Sequence, residues 1–124
     1  MKVLIIVAHG SKKKESNKQV AFLSKKIAAK TKKIFDAVDY AFLQFAFPLF
    51  EDKIDCFIQK GALHITIFPF FVSSGSHVLI DIPQLIQKAQ SKYKHVDFKI
   101  TKPIIKADKI VELIIDETTK NQKV

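Results

Sequence analysis

Two histidines stand where an α/β fold would put its chemistry. His9 follows the apolar run Val3-Leu4-Ile5-Ile6-Val7-Ala8 and opens His9-Gly10-Ser11. His77 lies beyond a second such run, Ile65 to Val72, and closes Ser73-Ser74-Gly75-Ser76-His77. In a parallel sheet, ligands bind outside the carboxyl ends of the strands, so both imidazoles are expected at one end of the molecule. A neutral imidazole ligates iron, cobalt and nickel, and its ordinary pKa of ~6.5 suits proton exchange near neutrality. Two such ligands fall short of the roughly four that close a structural metal site.

The neighbouring small residues fit the same end of the sheet. Gly10 permits an unusual turn, and Ser11 can cap the next helix or bind an oxyanion. Ser73, Ser74, Gly75 and Ser76 can form an anion-binding nest at a helix start. Each has a plainer reading. His9 can bond to its own loop, and residues 73–77 can be an exposed loop, since neither Gly-x-Gly-x-x-Gly nor Gly-Lys-Ser/Thr is present. Asp81 follows His77 by four residues and could orient an imidazole, although capping a helix is its commoner role. His64 begins a strand at the wrong end and His95 sits in the charged turn Lys92-Tyr93-Lys94-His95, so both read as structural or exposed. Cys56 falls in a helix away from either candidate histidine. Neither Gly10-Ser11 nor Ser74-Gly75-Ser76 is a nucleophile elbow.

Alternating strands and helices must position these groups. Lys2–Ala8 reads as a strand buried on both faces. Val20, Leu23, Ile27 and Ile34 recur at helical spacing between about Glu15 and Lys33. Val38–Ala46 is a second strand. A helix starting at Pro48 would bury Phe50, Ile54, Phe57 and Ile58 and end at Gly61. His64–Val72 is the third strand, with Pro69 marking where pairing stops. Asp81 and Pro83 predict a helix start, and the helix runs to about Tyr93. Val96–Thr101 and Ala107–Glu117 supply the last strand and helix. Four βα units imply right-handed crossovers. The expected fold is α/β: a single open four-stranded parallel sheet with helices on both faces, in one domain over 1–124.

The chain has 124 residues, 48% of them hydrophobic, with eleven Phe and no Trp. That is enough for a core of aliphatic side chains and Phe. One cysteine excludes an intrachain disulfide framework and any Cys-x-x-Cys motif. No stretch reaches the ~18 apolar residues of a spanning helix, and the apolar start is too short for a signal peptide. A soluble, cytoplasmic protein with no membrane association is expected. The formal charge is +9, and every basic residue is lysine. Such a surface attracts anions, and Lys12-Lys13-Lys14 borders the expected cleft. Base readout favours arginine, so nucleic acid is not an expected partner.

Taken together, the motifs resemble a known family. Val3 to Ser11, with Asn17 downstream, is similar to the opening of the small sirohydrochlorin chelatases, the CbiX-like class II chelatases. Phe68-Pro69-Phe70-Phe71-Val72-Ser73-Ser74-Gly75-Ser76-His77-Val78-Leu79-Ile80-Asp81-Ile82-Pro83 resembles the family's second signature, and Phe42 to Pro48 its middle segment. The similarity runs from about Lys2 to Thr101. It implies a fold like one half of a bilobal chelatase, with two short chains associating so that a homodimer builds one tetrapyrrole cleft. It also implies ATP-independent insertion of Co²⁺, Fe²⁺ or Ni²⁺ into sirohydrochlorin or a related carboxylate-rich tetrapyrrole, for cobalamin or siroheme synthesis. The metal is then a substrate, with no tightly bound cofactor. His9 and His77 match the family's metal-site histidines and would accept the pyrrole protons. Ser11, Ser73, Ser74, Gly75 and Ser76 would contact substrate. Phe45, Phe47, Phe70 and Phe71 could face the macrocycle, although Phe is more often core.

Two departures stand out. Gln44 occupies a position where many members carry Glu, and Glu51 is the nearest acid downstream. Residues Lys102 to Asp108 lack the Gly and His common after the fourth strand. The missing carboxylate motivates a second reading, a non-catalytic tetrapyrrole or metal carrier. A flavodoxin-like domain binding a phosphate ligand is a third.

Overall fold

The computed structural model describes residues 1–72 and 76–120, and for 76–79 the backbone alone. The chain alternates β1 (Lys2–Ala8), α1 (Lys14–Lys30), β2 (Ala37–Phe42), α2 (Phe50–Gln59), β3 (His64–Pro69), α3 (Ser76–Lys92) and β4 (Asp97–Ile100), followed by a 3-10 turn (Ile104–Lys106) and α4 (Ile110–Thr119). The four strands form one parallel sheet in the order β2-β1-β3-β4.

β1 is central, and its unbroken apolar run follows from that position. Residues Val3 to Ala8 are all buried. Alternation sends Val3, Ile5 and Val7 to one face, where Phe50, Ile54 and Phe57 of α2 and Ile82 and Ile86 of α3 close the core. Leu4, Ile6 and Ala8 face the other way, against Val20 and Ile27 of α1. Fully burying each such aliphatic side chain contributes roughly 1.5–3 kcal/mol. The sheet's two-sided burial is what fixes the strand register: Val3 sits opposite Ala37 on one side and Ile65 on the other.

Several boundaries differ from expectation, each for a physical reason. α1 stops at Lys30, and Ile34 is exposed in the following turn while Phe35 packs on the core. β2 ends at Phe42 rather than Ala46, because residues 43–49 loop out and return, with the Phe42 N–H bonded to the Pro48 carbonyl at 2.9 Å. β3 ends at Pro69, as its missing N–H demands. α3 begins at Ser76, well before Asp81, and carries Pro83 inside it. Ile82 and Ile86, one turn apart and both buried, anchor the helix through that point, and Pro83 lies on its exposed side. α4 covers no part of the sheet, and none of its residues is buried. The helical cover is therefore α1 on one face and α2 with α3 on the other.

Candidate functional site

β1 ends in the middle of the sheet, and His9 is the first residue beyond it, with an exposed imidazole. Its ring meets the Phe71 ring edge to face, with centroids 5.4 Å apart and planes at 83°. Phe71 is itself buried, so the contact holds one side of the imidazole against a fixed surface and leaves the rest to solvent.

Backbone contacts set the position of His9. The Leu43 N–H donates to the Ala8 carbonyl at 3.0 Å and the Gln44 N–H to the His9 carbonyl at 3.1 Å. The loop after β2 is thus tied to the loop after β1. Gly10 makes the tie possible. Its φ is +92°, and a Cβ there would overlap the Gln44 carbonyl. Glycine is required at this point twice over, by conformation and by space. Asn17 of α1 holds the other end. Its Oδ1 accepts the Ser11 N–H at 3.0 Å, and its Nδ2 donates to the Ser11 carbonyl at 2.7 Å. The Ser11 hydroxyl accepts the Lys13 N–H at 3.0 Å, a local turn bond ahead of α1, whose own N-terminus has no side-chain cap.

His9 stands between two hollows. One, of about 660 Å³, is lined by His9, Leu43, Gln44, Asp81, Gln84, Leu85 and Lys88. The other, of about 490 Å³, includes His9, Gly10, Ser11, Asn17, Phe71 and Val72. Asp81, Gln84, Leu85 and Lys88 recur at helical spacing, so one face of α3 forms the far wall of the first hollow. Gln44 is there, as the family pattern implied for that position. The carboxylate in the hollow is Asp81, which lies inside α3 and so does not cap it. Glu51 lines a separate hollow with Asp55 and Lys92. The rim is cationic and apolar. Lys88 lines the hollow, and the Lys12 ammonium sits 5.2 Å from the Phe45 ring centroid. Phe45, Phe47 and Val72 are 58%, 82% and 73% exposed, so these two Phe are not core, whereas Phe71 is buried and Phe70 half-buried.

The other expected residues fall as follows. Ser73, Ser74 and Gly75 lie outside the described residues. Ser76 and His77 form the start of α3, and their side chains lie outside the description. His64 is at the opposite end of the sheet, with Nδ1 3.4 Å from the Asp97 carboxylate, and His95 is exposed in the turn before β4. Cys56 is half-buried in α2. Among the described residues, no three His, Cys, Asp or Glu side chains gather as a closed cage. No described helix is long and apolar enough to cross a membrane. Sequence reasoning missed Gln84 and Lys88 and undervalued Asp81 and Asn17. The Asp81, Gln84, Leu85, Lys88 spacing was the available signal.

The hollow is lined by both an imidazole and a carboxylate, and the lysines at its edge favour an anionic ligand. Known proteins are similar in sequence and in fold. The model of the CbiX family matches residues 3–121. A chloroplastic sirohydrochlorin ferrochelatase of Arabidopsis thaliana is 30% identical over 113 residues, covering 91% of this chain and 49% of that protein. A sirohydrochlorin cobaltochelatase of Saccharolobus islandicus is 30% identical over 118 residues, covering 90% of this chain and 89% of its own. The structure of SirB from Bacillus subtilis with Fe³⁺ superposes with a TM-score of 0.79 at 26% identity, over 94% of this chain and 46% of that one. The chain thus spans about half the length of some relatives and nearly all of another. With a family match over nearly its whole length, and the His9-Gly10-Ser11 loop built at the end of its central strand, the chain belongs to the CbiX family.

Proposed function

We propose that this protein is a sirohydrochlorin chelatase, inserting Co²⁺ or Fe²⁺ into sirohydrochlorin or a related carboxylate-rich tetrapyrrole without ATP, in cobalamin or siroheme synthesis. The observation that carries the reading is the exposed His9 imidazole, held at the end of the central strand in a cleft it shares with Asp81. In the balanced reaction, the metal-free macrocycle and M²⁺ give the metallated macrocycle and two protons. Each proton leaves a pyrrole N–H as a metal–nitrogen bond replaces it. His9 and His77 hold the ion and accept the protons. His77 precedes Asp81 by one turn of α3, which suits a shared role. Ser11 and the segment Ser73, Ser74, Gly75 and Ser76 shape the substrate pocket, and the hydroxyl of Ser11 already has a backbone partner.

The rim suits the substrate. Lys12 and Lys88 match peripheral carboxylates, and exposed Phe45, Phe47 and Val72 offer a surface to a flat apolar ring. The names of the Saccharolobus and Arabidopsis relatives, and the iron in SirB, support the reaction class and a cobalt or iron cargo. Since the chain spans about half of several relatives, we read it as one domain that contributes half of a cleft, completed by a second copy in a homodimer.

Purified protein mixed with sirohydrochlorin and Co²⁺ or Fe²⁺, followed by absorbance, tests the proposal. Insertion well above the uncatalysed rate over many turnovers is expected. Stoichiometric retention of metallated product without turnover would support the carrier reading that Gln44 motivates, and no effect at all would refute both.

A further inference from the structure

Phe45 adopts a backbone conformation that its side chain disfavours and its burial does not offset. Its φ is +65°, and among the described residues it is the one non-glycine with a positive φ. For a bulky residue that region is an outlier, kept only where the surroundings enforce it. The residue is 58% exposed, so core packing does not compensate the strain. A turn alone would be served by Gly or Asn, which enter the left-handed region at little cost.

The loops of the site do the enforcing. The Leu43 and Gln44 N–H groups donate to the Ala8 and His9 carbonyls, and the Phe42 N–H closes the far end on the Pro48 carbonyl. The Gln44 carbonyl, next to the Phe45 amide, packs on Gly10 where a Cβ would overlap it. Phe45 is thereby fixed against the loop that carries His9, and its ring meets a side chain of that loop. The Lys12 ammonium lies 5.2 Å from the ring centroid. An exposed cation–π contact is weaker than the strain of such a backbone, so the pair does not repay its own cost in the free protein. What it presents to solvent is a flat apolar ring beside a cation, next to His9.

We propose that Phe45 and Lys12 form the specificity-determining pair of the site: the Phe45 ring stacks on a tetrapyrrole face while Lys12 takes a carboxylate at the macrocycle's edge. The inference rests on the chelatase reading and adds the two residues that choose among macrocycles. The ring offers an offset-stacking surface to a π-system whatever its substituents. The ammonium favours only a macrocycle with a carboxylate near the edge that overlies Phe45. Together they rank carboxylate-dense tetrapyrroles above carboxylate-poor ones. The strained backbone is what keeps the ring turned out beside His9.

Fluorescence titration of the full chain with two metal-free porphyrins, one bearing eight carboxylates and one bearing two, tests the proposal. The unaltered protein is expected to bind the eight-carboxylate ring more tightly. Phe45→Asn accepts the left-handed backbone and removes the ring. It should weaken both porphyrins about tenfold, the scale of one lost aromatic stacking contact, while Tm rises by about 3–6 °C as the strain is relieved. A merely structural residue would not give weaker binding together with higher stability. Phe45→Tyr should restore the affinity. Lys12→Met should weaken the eight-carboxylate porphyrin several-fold, flatten its salt dependence and leave the two-carboxylate porphyrin nearly unchanged. A Phe45→Asn protein that binds both porphyrins as before, or that unfolds earlier, would overturn the proposal, as would a Lys12→Met protein that weakens both equally. An unaltered protein that binds no tetrapyrrole, sirohydrochlorin included, overturns the chelatase reading as well, whereas normal binding with insensitive variants overturns the pair alone.

Discussion

Replacing Gly10 with alanine probes how the fold builds its site. Two costs arise there. At φ +92° an L-residue is strained, by roughly 1–2 kcal/mol in the left-handed region. The added methyl also overlaps the Gln44 carbonyl, which must retreat together with the bonds from Leu43 and Gln44 to the loop after β1. Losing or bending one or two such bonds adds about 1–2 kcal/mol, so the expected destabilisation is ~2–4 kcal/mol, or a fall in Tm of roughly 10 °C for a domain of this size. Gly61 is the control. Its φ is +101°, but nothing lies within 4 Å of an added Cβ. Gly61→Ala should therefore show the strain alone, about 1–2 kcal/mol, with metal insertion unchanged. Thermal unfolding of the two variants and their insertion rates give the comparison. If Gly10→Ala unfolds no earlier than Gly61→Ala and inserts metal at the normal rate, the tie between the two loops does not position His9.

Three further outcomes follow from the same contacts. Asn17→Ala removes both side-chain bonds to Ser11 and should cost about 1–3 kcal/mol while lowering the insertion rate, read by thermal unfolding and the absorbance assay. Lys88→Ala should raise KM for the carboxylate-rich macrocycle several-fold with little change in kcat, and should weaken the salt dependence of KM, since a rim charge acts through screened attraction. Ile54→Ala, at a position 2% exposed, should cost ~2–5 kcal/mol in denaturant unfolding without altering the rate per folded molecule.

The fold was legible where burial writes itself locally. The unbroken run in β1 announces a strand covered on both faces, and Phe50, Ile54 and Phe57 announce the buried stripe of α2. Boundaries set by distant contacts were not legible. Val38–Ala46 keeps an apolar pattern past Phe42, but the loop from Leu43 is turned by its bonds to Ala8 and His9, which no local rule reveals. Asp81 and Pro83 carry the usual signs of a helix start. Packing of Ile82 and Ile86 overrides them, and Asp81 is thereby freed to line the cleft. Phe45 and Phe47 read as core by composition, yet they are exposed at the end where His9 stands. For α4 the pattern marked a helix over about Ala107–Glu117 but not that it would stand clear of the sheet, because that depends on the connector after β4.

The central claim is that His9 acts directly on the metal and the macrocycle. The most direct test is steady-state insertion of Co²⁺ into sirohydrochlorin by His9→Ala, with substrate binding measured in parallel by absorbance titration. Because the imidazole is exposed, the variant should fold and bind the macrocycle normally. Its kcat should fall by about 10²–10⁴, the range for removing a positioned proton acceptor. A His9→Ala protein that inserts metal within about threefold of the unaltered rate would contradict the account, since a group whose removal costs under ~1 kcal/mol at the transition state is not carrying the reaction.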